Sequence, residues 1–205
     1  MTFTTLRKTA EGVLFLPQHL ERLFAFTARA EFFVQQFKEQ LAREPVGIVS
    51  IAFDNSQLTF THRTASSLFE GIAMRKAVSP ITGNQPIPKS ASPSEYDAFR
   101  VPEIATLLTD ATGNEVYESS VSAILAWNGV SLVAVPDDRP RVQSIAEKEI
   151  AARIHVQRIP IVFDAHWPLL LVNAVGCVEP RQAPAFPPAL RTSIDAVYRD
   201  AVSYA

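Results

Sequence analysis

The sequence predicts an α+β protein built from two parts, and three observations support this prediction. An amphipathic helix pattern fills residues 17–43, with short strand patterns on either side of it. A stretch rich in proline and serine at 79–93 has the composition of a connection between domains. Beyond it, paired strand patterns surround two turn signals. We therefore predict a small N-terminal domain over residues 1–82 and a larger C-terminal domain over 86–205.

The elements of the first part follow from turn residues and apolar spacing. Strand patterns at 2–8 and 12–17 flank a turn-like Thr-Ala-Glu-Gly and indicate a hairpin. The helix pattern at 17–43 repeats apolar residues every three or four positions, and Glu44-Pro45 ends it. Three further strands are predicted in this part, at 46–54, 57–63 and 70–78.

The second part alternates strand patterns with turn residues. A hairpin is predicted around Ala111-Thr112-Gly113. Asn128-Gly129 between two apolar runs is the signal of a two-residue hairpin turn. Further along the chain we predict a helix, a buried strand and a terminal helix, at 141–153, 167–175 and 190–205.

Composition and charge exclude several functional classes. The net charge is −2 and no basic block is present, so the chain has no charge pattern for nucleic acid. The longest apolar run, 168–178, is too short to span a membrane and contains Asn173. The single cysteine, Cys177, excludes an internal disulfide and fits a reducing compartment. The histidines are too scattered for a local metal motif. We expect a soluble cytoplasmic protein.

Four stretches carry candidate functional residues in one order along the chain. The first, FTTLRKTAEGVLFLPQHLERL, places Arg22 at a helix start, where an always-charged fork suits a phosphate dianion. The second, PIPKSASPSEYDAF, holds Lys89 on a loop. The third, DATGNEVYESSVSAILAW, places Glu118 on a strand. The fourth, LLLVNAVGCVEP, ends a strand at Asn173 and Ala174.

Together these stretches resemble the class IV, or fold-type IV, pyridoxal-phosphate enzymes. That family includes branched-chain and D-amino-acid aminotransferases and 4-amino-4-deoxychorismate lyases. The resemblance covers about residues 3–180. It implies a small α/β sandwich domain, a pseudo-barrel domain, pyridoxal 5'-phosphate between them, a small-molecule amino substrate and a homodimer. The chain starts almost on the family's Phe-x-Thr strand, as a short form of the family does.

The resemblance implies a role for each residue. Arg22 would grip the cofactor phosphate, and Lys89 would bond the cofactor covalently and then act as general base. Glu118 would pair with the pyridine nitrogen, which keeps the ring an electron sink. Asn173 and Ala174 would lie in a turn near the phosphate and the substrate.

The chain departs from the family pattern in places. Lys89 is followed by SASPS, and Ala123 stands where the family commonly has Asn. The segment from 141 to 144, RVQS, replaces the family's Gly-Ile-Thr-Arg. The backbone amides of Val142 and Gln143, at a helix start, can still bind an anion. Lys76, inside a strand before the connection, is an alternative to Lys89.

Three functions stay open from the sequence. Phe3-Thr4-Thr5 and the Asn173-Ala174 pair favour a 4-amino-4-deoxychorismate lyase, which releases pyruvate and forms p-aminobenzoate; Thr5 is then a candidate proton relay or substrate contact. An amino-acid aminotransferase is the second function. The third is a degenerate, non-catalytic relative, which the altered segments around Lys89 and at 141–144 suggest.

Overall fold

The computed structural model describes residues 2–25, 27–54, 56–63, 72–85, 87, 96, 98–101 and 104–203. The chain divides into two compact units. The first contains the described residues up to 63 and those from 198 onward, and the second contains the described residues from 72 to 197. No helix among these residues is long and apolar enough to cross a membrane.

Short strands alternate with α-helices along the described residues. The strands are β1 (Thr2–Lys8), β2 (Val13–Leu14), β3 (Gly47–Phe53), β4 (Leu58–Arg63), β5 (Ala73–Val78), β6 (Ile104–Thr109), β7 (Glu115–Ser119), β8 (Ala123–Trp127), β9 (Leu132–Ala134), β10 (Val156–Arg158), β11 (Ile161–Val162), β12 (Leu169–Asn173), β13 (Gly176–Val178) and β14 (Val202–Ser203). The α-helices of the described residues are α1 (Leu16–Phe24), α2 (Ala30–Arg43), α3 (Ile145–Arg153) and α4 (Pro188–Asp200).

The first unit packs α1 and α2 against an antiparallel sheet in the order β14-β2-β1-β3-β4. The predicted N-terminal hairpin is confirmed, since Lys8 on β1 lies opposite Val13 on β2. Gly12 precedes β2 with φ of +149°, and a Cβ at this position would lie 2.5 Å from the carbonyl oxygen of Ser203. Only glycine therefore lets β14 approach the hairpin this closely.

The single helix predicted over 17–43 is wrong, because the structure contains two helices separated by residues 25–29. The Thr27 hydroxyl accepts a hydrogen bond from the Arg29 amide at 3.3 Å, which competes with helical pairing. The break allows α1 and α2 to cover the same sheet. Phe24 at the end of α1 packs its ring 6.1 Å from that of Phe33 on α2.

The end of α2 at Arg43, just before the predicted stop, depends on a distant side chain. Lys8 Nζ donates hydrogen bonds to the carbonyls of Leu41, Ala42 and Glu44 at 2.8, 3.0 and 2.6 Å. A cation at a helix C-terminus satisfies carbonyls that lack helical partners and interacts favourably with the helix dipole. This contact fixes α2 to the end of β1.

The second unit contains two sheets, ordered β11-β7-β6-β5 and β10-β9-β8-β12-β13. Their apolar faces contribute to one core. The strand at 70–78 is predicted from the sequence to belong to the first part, but β5 pairs in parallel with β6, Ala73 opposite Ile104. A parallel pair needs a connection of a dozen residues or more, and the stretch between these two strands is long enough to make it.

The turn predicted at Asn128-Gly129 is longer than the sequence indicates. The strands β8 and β9 pair as far as Trp127 opposite Leu132, so four residues form the loop instead of two. The side-chain oxygen of Asn128 accepts hydrogen bonds from the amides of Val130 and Ser131 at 3.0 and 2.8 Å. Asn128 closes the turn through its side chain. The preference of the Asn-Gly pair for two-residue turns does not predict this longer loop.

The core of the first unit can be tested at Phe37, which is 0% exposed and packs against the rings of Phe24 and Phe60. The change Phe37→Ala is expected to lower the free energy of unfolding by about 3–5 kcal/mol, because it opens a cavity. Phe32→Ala, at a side chain that is 49% exposed, is the control and should cost about 1 kcal/mol or less. Urea unfolding measures both, and equal losses would contradict the assigned core.

Candidate functional site

Glu118 is a buried carboxylate on β7, and its side chain is 4% exposed. Its Oε1 accepts a hydrogen bond from the Tyr96 hydroxyl at 2.5 Å and a second from the Val142 amide at 2.9 Å. Both donors bond the same oxygen, and within the described part of the chain Oε2 accepts no hydrogen bond. The site therefore offers one carboxylate oxygen to a ligand that carries an N–H or O–H group.

Burial raises the pKa of Glu118 to about 7. The hydrogen bonds from Tyr96 and Val142 and the charge of Arg141 lower this pKa, and the charge of Glu147 raises it, but burial is the largest effect. A carboxyl group with this pKa is poised between its two protonation states near neutral pH. A cationic partner at Oε2 favours the ionised form.

Arg141 and Glu147 form a buried ion pair beside Glu118. Their side chains are 4% and 3% exposed, and the guanidinium donates two parallel hydrogen bonds to the carboxylate, at 2.8 and 2.9 Å. Arg158 also donates to Glu147. Bidentate geometry with a further donor is the arrangement in which a buried pair keeps its charges satisfied. The pair fixes the residue directly before Val142.

The segment at 141–143 also holds the chain shortly before Lys89. The Ile87 amide donates to the Arg141 carbonyl at 2.8 Å, and the Gln143 amide donates to the Ile87 carbonyl at 3.3 Å. The resemblance implies that the amides of Val142 and Gln143 bind a phosphate. In the structure these two amides bond Glu118 and Ile87 instead, so they tie the segment before Lys89 to the buried carboxylate.

Lys89 itself lies outside the described residues. The alternative lysine, Lys76, lies at the surface of β5. Its Nζ donates to the Gly113 carbonyl at 3.3 Å and lies 4.5 Å from the centre of the Phe163 ring. These contacts give Lys76 a place in the packing around the β6–β7 hairpin and no contact with Glu118.

Two sequence-predicted residues of the first unit, Arg22 and Thr5, lie on α1 and β1. Arg22 is half-buried in the last turn of α1, and burial lowers its pKa to about 10, so the guanidinium stays charged at neutral pH. A partly desolvated cation favours an anionic partner. On β1, Thr4 and Thr5 point to opposite faces. The Thr4 hydroxyl bonds His19 Nδ1 at 2.6 Å, and both residues are fully buried.

The Thr5 hydroxyl is half-buried and lies 3.4 Å from that of Ser50 on β3. The Thr4 hydroxyl already bonds His19 and in this way helps α1 to pack on the sheet. Thr5 is therefore the residue of the pair whose hydroxyl can meet a ligand.

Asn173 is the last residue of β12, and Ala174 with Val175 forms the turn to β13. The side-chain oxygen of Asn173 accepts from the Val175 amide at 2.9 Å, and its side-chain nitrogen donates to the Ser122 hydroxyl at 3.1 Å. Ser122 lies in the loop that follows β7. Asn173 thus holds its own turn and connects it to the loop that follows Glu118.

Sequence patterns do not identify Tyr96 or the Arg141–Glu147 pair as partners of Glu118. The signal for Tyr96 is its place seven residues after Lys89, where Tyr96 and Asp97 resemble a Tyr-Asp pair of some family members. The signal for the pair is an arginine just before a helix with an acid in its first turn, which is a favourable place for a carboxylate. Neither signal indicates on its own that these residues lie beside residue 118.

Solved structures of known proteins have a fold similar to that of this chain. No protein-family model matches the sequence, and no curated protein matches it. A provisionally assigned 4-amino-4-deoxychorismate lyase superimposes with a TM-score of 0.71 at 22% identity, over 96% of this chain and 89% of that one.

Two further solved structures are similar. The 4-amino-4-deoxychorismate lyase of Pseudomonas aeruginosa gives a TM-score of 0.69 at 15% identity, over 97% of this chain and 90% of that one. An aminotransferase from Brucella abortus, bound to the cofactor PLP, gives 0.68 at 14% identity, over 97% and 88%. The chain has the two-domain α+β fold of the fold-type IV pyridoxal-phosphate enzymes.

Proposed function

We propose that the chain is a pyridoxal-phosphate-dependent enzyme of class IV. The observation that carries this proposal is Glu118, a buried carboxylate with one oxygen held by two donors and the other open to a ligand. When bound, the cofactor supplies an aldehyde that bonds amines and a pyridine ring that withdraws electrons from a neighbouring carbon. Glu118 of the second unit has the chemistry to bind the ring nitrogen, and Arg22 of the first unit carries a charge that suits a phosphate.

Glu118 is suited to the ring nitrogen. Its Oε2 can accept the N–H of a protonated pyridine, and the positive charge of that ring favours the ionised carboxylate over the neutral form that burial favours. Between Glu118 and the pyridine, the proton would stay on the ring nitrogen. This is the role that the resemblance implies for Glu118.

Arg22 is suited to the phosphate. Its guanidinium is half-buried and charged at neutral pH, and a bidentate fork matches phosphate oxygens. Because the amides of Val142 and Gln143 bond groups of the chain, we propose that Arg22 provides a larger share of phosphate affinity here than in family members with an open helix start.

Lys89 is proposed as the amine that bonds the cofactor and takes a proton from the α-carbon of the substrate. It follows Ile87 by two residues in the sequence. Ile87 is paired with Val142, the residue whose amide bonds Glu118. Lys8 and Lys76 are engaged with carbonyl groups of their own units.

Within class IV we propose a 4-amino-4-deoxychorismate lyase, acting on a small-molecule amino substrate, in a homodimer. The sequence Phe3-Thr4-Thr5 supports this choice, and so does the similarity to structures named as 4-amino-4-deoxychorismate lyases. The Thr5 hydroxyl would relay a proton at the substrate or contact its hydroxyl. The products would be pyruvate and p-aminobenzoate. An aminotransferase is the second candidate, supported by the similarity to the Brucella abortus structure.

The role of Lys89 is tested by cofactor labelling. The wild-type protein mixed with pyridoxal 5'-phosphate is expected to gain a visible absorption band, and borohydride should fix the label on a peptide that contains Lys89. Lys89→Ala should lose the band and the label, because Lys8 and Lys76 are engaged elsewhere. Lys76→Ala is the matched control and should keep both. A label on Lys76, or no label on the wild-type protein, would contradict the proposal.

The reaction is tested by its products. Supplied with aminodeoxychorismate, the wild-type protein should release pyruvate and p-aminobenzoate, and Thr5→Val should lower kcat about 100-fold if the hydroxyl relays a proton. Thr59→Val, at an exposed threonine of β4, is the control and should keep the wild-type rate. Absence of pyruvate together with amino transfer to a keto acid would instead identify an aminotransferase.

The raised pKa of Glu118 predicts a pH-dependent stability in the cofactor-free protein. Between pH 4.5 and 7 the folded state keeps a proton that the unfolded state has lost, so stability falls as pH rises through this window and is level above it. Glu118→Gln removes the effect, so its stability relative to wild type should rise by about 3 kcal/mol from pH 5 to pH 8.

Urea unfolding at the two pH values measures this difference. Glu11→Gln, at an exposed turn residue, is the control and should follow the wild-type profile. An unchanged difference between wild type and Glu118→Gln at both pH values would show that the carboxyl group titrates normally.

A further inference from the structure

We propose that Tyr96 is a positioning residue for Glu118: together with the Val142 amide it holds Oε1, so that Oε2 alone is presented to the ring nitrogen of the cofactor. This inference rests on the proposed function and extends it to a residue whose only sequence signal is its spacing from Lys89. Tyr96 acts through Glu118 and is not itself assigned a contact with substrate or cofactor.

The geometry of the Tyr96 contact supports a charge-assisted hydrogen bond. The phenol oxygen lies 2.5 Å from Glu118 Oε1, and the tyrosine is 3% exposed. Hydrogen bonds from hydroxyl groups to carboxylates are short and stronger than those between neutral groups. A buried phenol needs a partner for its hydroxyl, and a buried carboxylate needs donors, so each group satisfies the other.

The second donor makes the arrangement directional. A glutamate carboxyl group rotates easily about its last torsion angle, because that torsion is broad and roughly two-fold. Two donors that approach Oε1 from different segments, the phenol of Tyr96 and the amide of Val142, oppose this rotation. The Val142 amide is itself fixed, since Arg141 is locked to Glu147 and the adjacent backbone is paired with Ile87.

Loss of the phenol would change the proton affinity of Glu118 in a known direction. The groups that act on this carboxyl are the Tyr96 hydroxyl, the Val142 amide, the cation of Arg141 and the anion of Glu147. Tyr96 and Arg141 favour the ionised form, and Glu147 opposes it. With Tyr96→Phe, the Val142 amide and Arg141 remain, so the carboxylate should bind its proton more tightly and lose orientation.

The first experiment compares two probes on the purified protein by titration calorimetry. The probes are pyridoxal 5'-phosphate and its analogue with carbon in place of the ring nitrogen. The wild-type protein should prefer the natural ring, and Tyr96→Phe should reduce this preference about tenfold, as expected for the loss of a hydrogen bond to a charged group. Glu118→Gln should reduce it as well. Tyr117→Phe, at the neighbouring phenol on the opposite face of β7, is the matched control and should keep the preference.

The second experiment needs no cofactor. The glutamate side-chain carboxyl carbons are labelled with ¹³C, and the resonance absent from Glu118→Gln is titrated by NMR in the cofactor-free protein. Tyr96→Phe is expected to move its midpoint upward by about one pH unit, and Tyr117→Phe should leave it in place.

The outcomes separate this inference from the proposed function. Equal loss of affinity for both probes in Tyr96→Phe, or an unmoved carboxyl titration, would overturn the role of Tyr96, because a purely structural phenol would alter neither the preference nor the midpoint. If the wild-type protein binds neither probe, the proposed function fails, and the titration alone then decides whether Tyr96 controls Glu118.

Discussion

A buried carboxylate needs hydrogen-bond donors from the protein. In the second unit, the segments around Glu118 are positioned so that they supply such donors. An isolated buried charge is far less stable than a solvated one, so the group either keeps its proton or acquires donors. Here it acquires two donors, the phenol of Tyr96 and the amide of Val142, from segments far apart in sequence, and burial still raises its pKa to about 7. The carboxylate therefore organises the local backbone as well as offering a binding group.

The buried pair of Arg141 and Glu147 explains how an altered segment keeps this arrangement. The resemblance implies backbone amides open to a phosphate at the start of α3. The chain instead has a bulky arginine there, and its guanidinium is folded back onto the first turn of the helix. The pair costs desolvation energy but has bidentate geometry, and removal of one partner would leave an uncompensated charge. Its position supports Val142, and through Val142 it supports Glu118.

Local patterns are enough to predict most elements, and long-range contacts account for the rest. Apolar spacing and turn residues predict the N-terminal hairpin, the strands β3 and β4, and the end of α2 before Pro45. The parallel pairing of β5 with β6 and the capping of α2 by Lys8 depend on residues far apart in the chain. The break between α1 and α2 accompanies a local bond of the Thr27 hydroxyl that apolar spacing does not predict. The motif likewise indicates Glu118 but not Tyr96, because the spacing of the two residues says nothing about a contact across the fold.

The uneven bonding of the Glu118 carboxylate argues that the residue serves a ligand and not only the fold. A position that required no more than a core side chain would be stable with an amide or an aliphatic group. The described residues satisfy Oε1 twice and Oε2 not at all. Such imbalance is uncommon in packed cores and frequent at functional sites. A ligand N–H at Oε2 would supply the donor that this oxygen lacks among the described residues. The burial that raises the pKa of Glu118 strengthens such a contact, because charges attract more strongly where water is excluded.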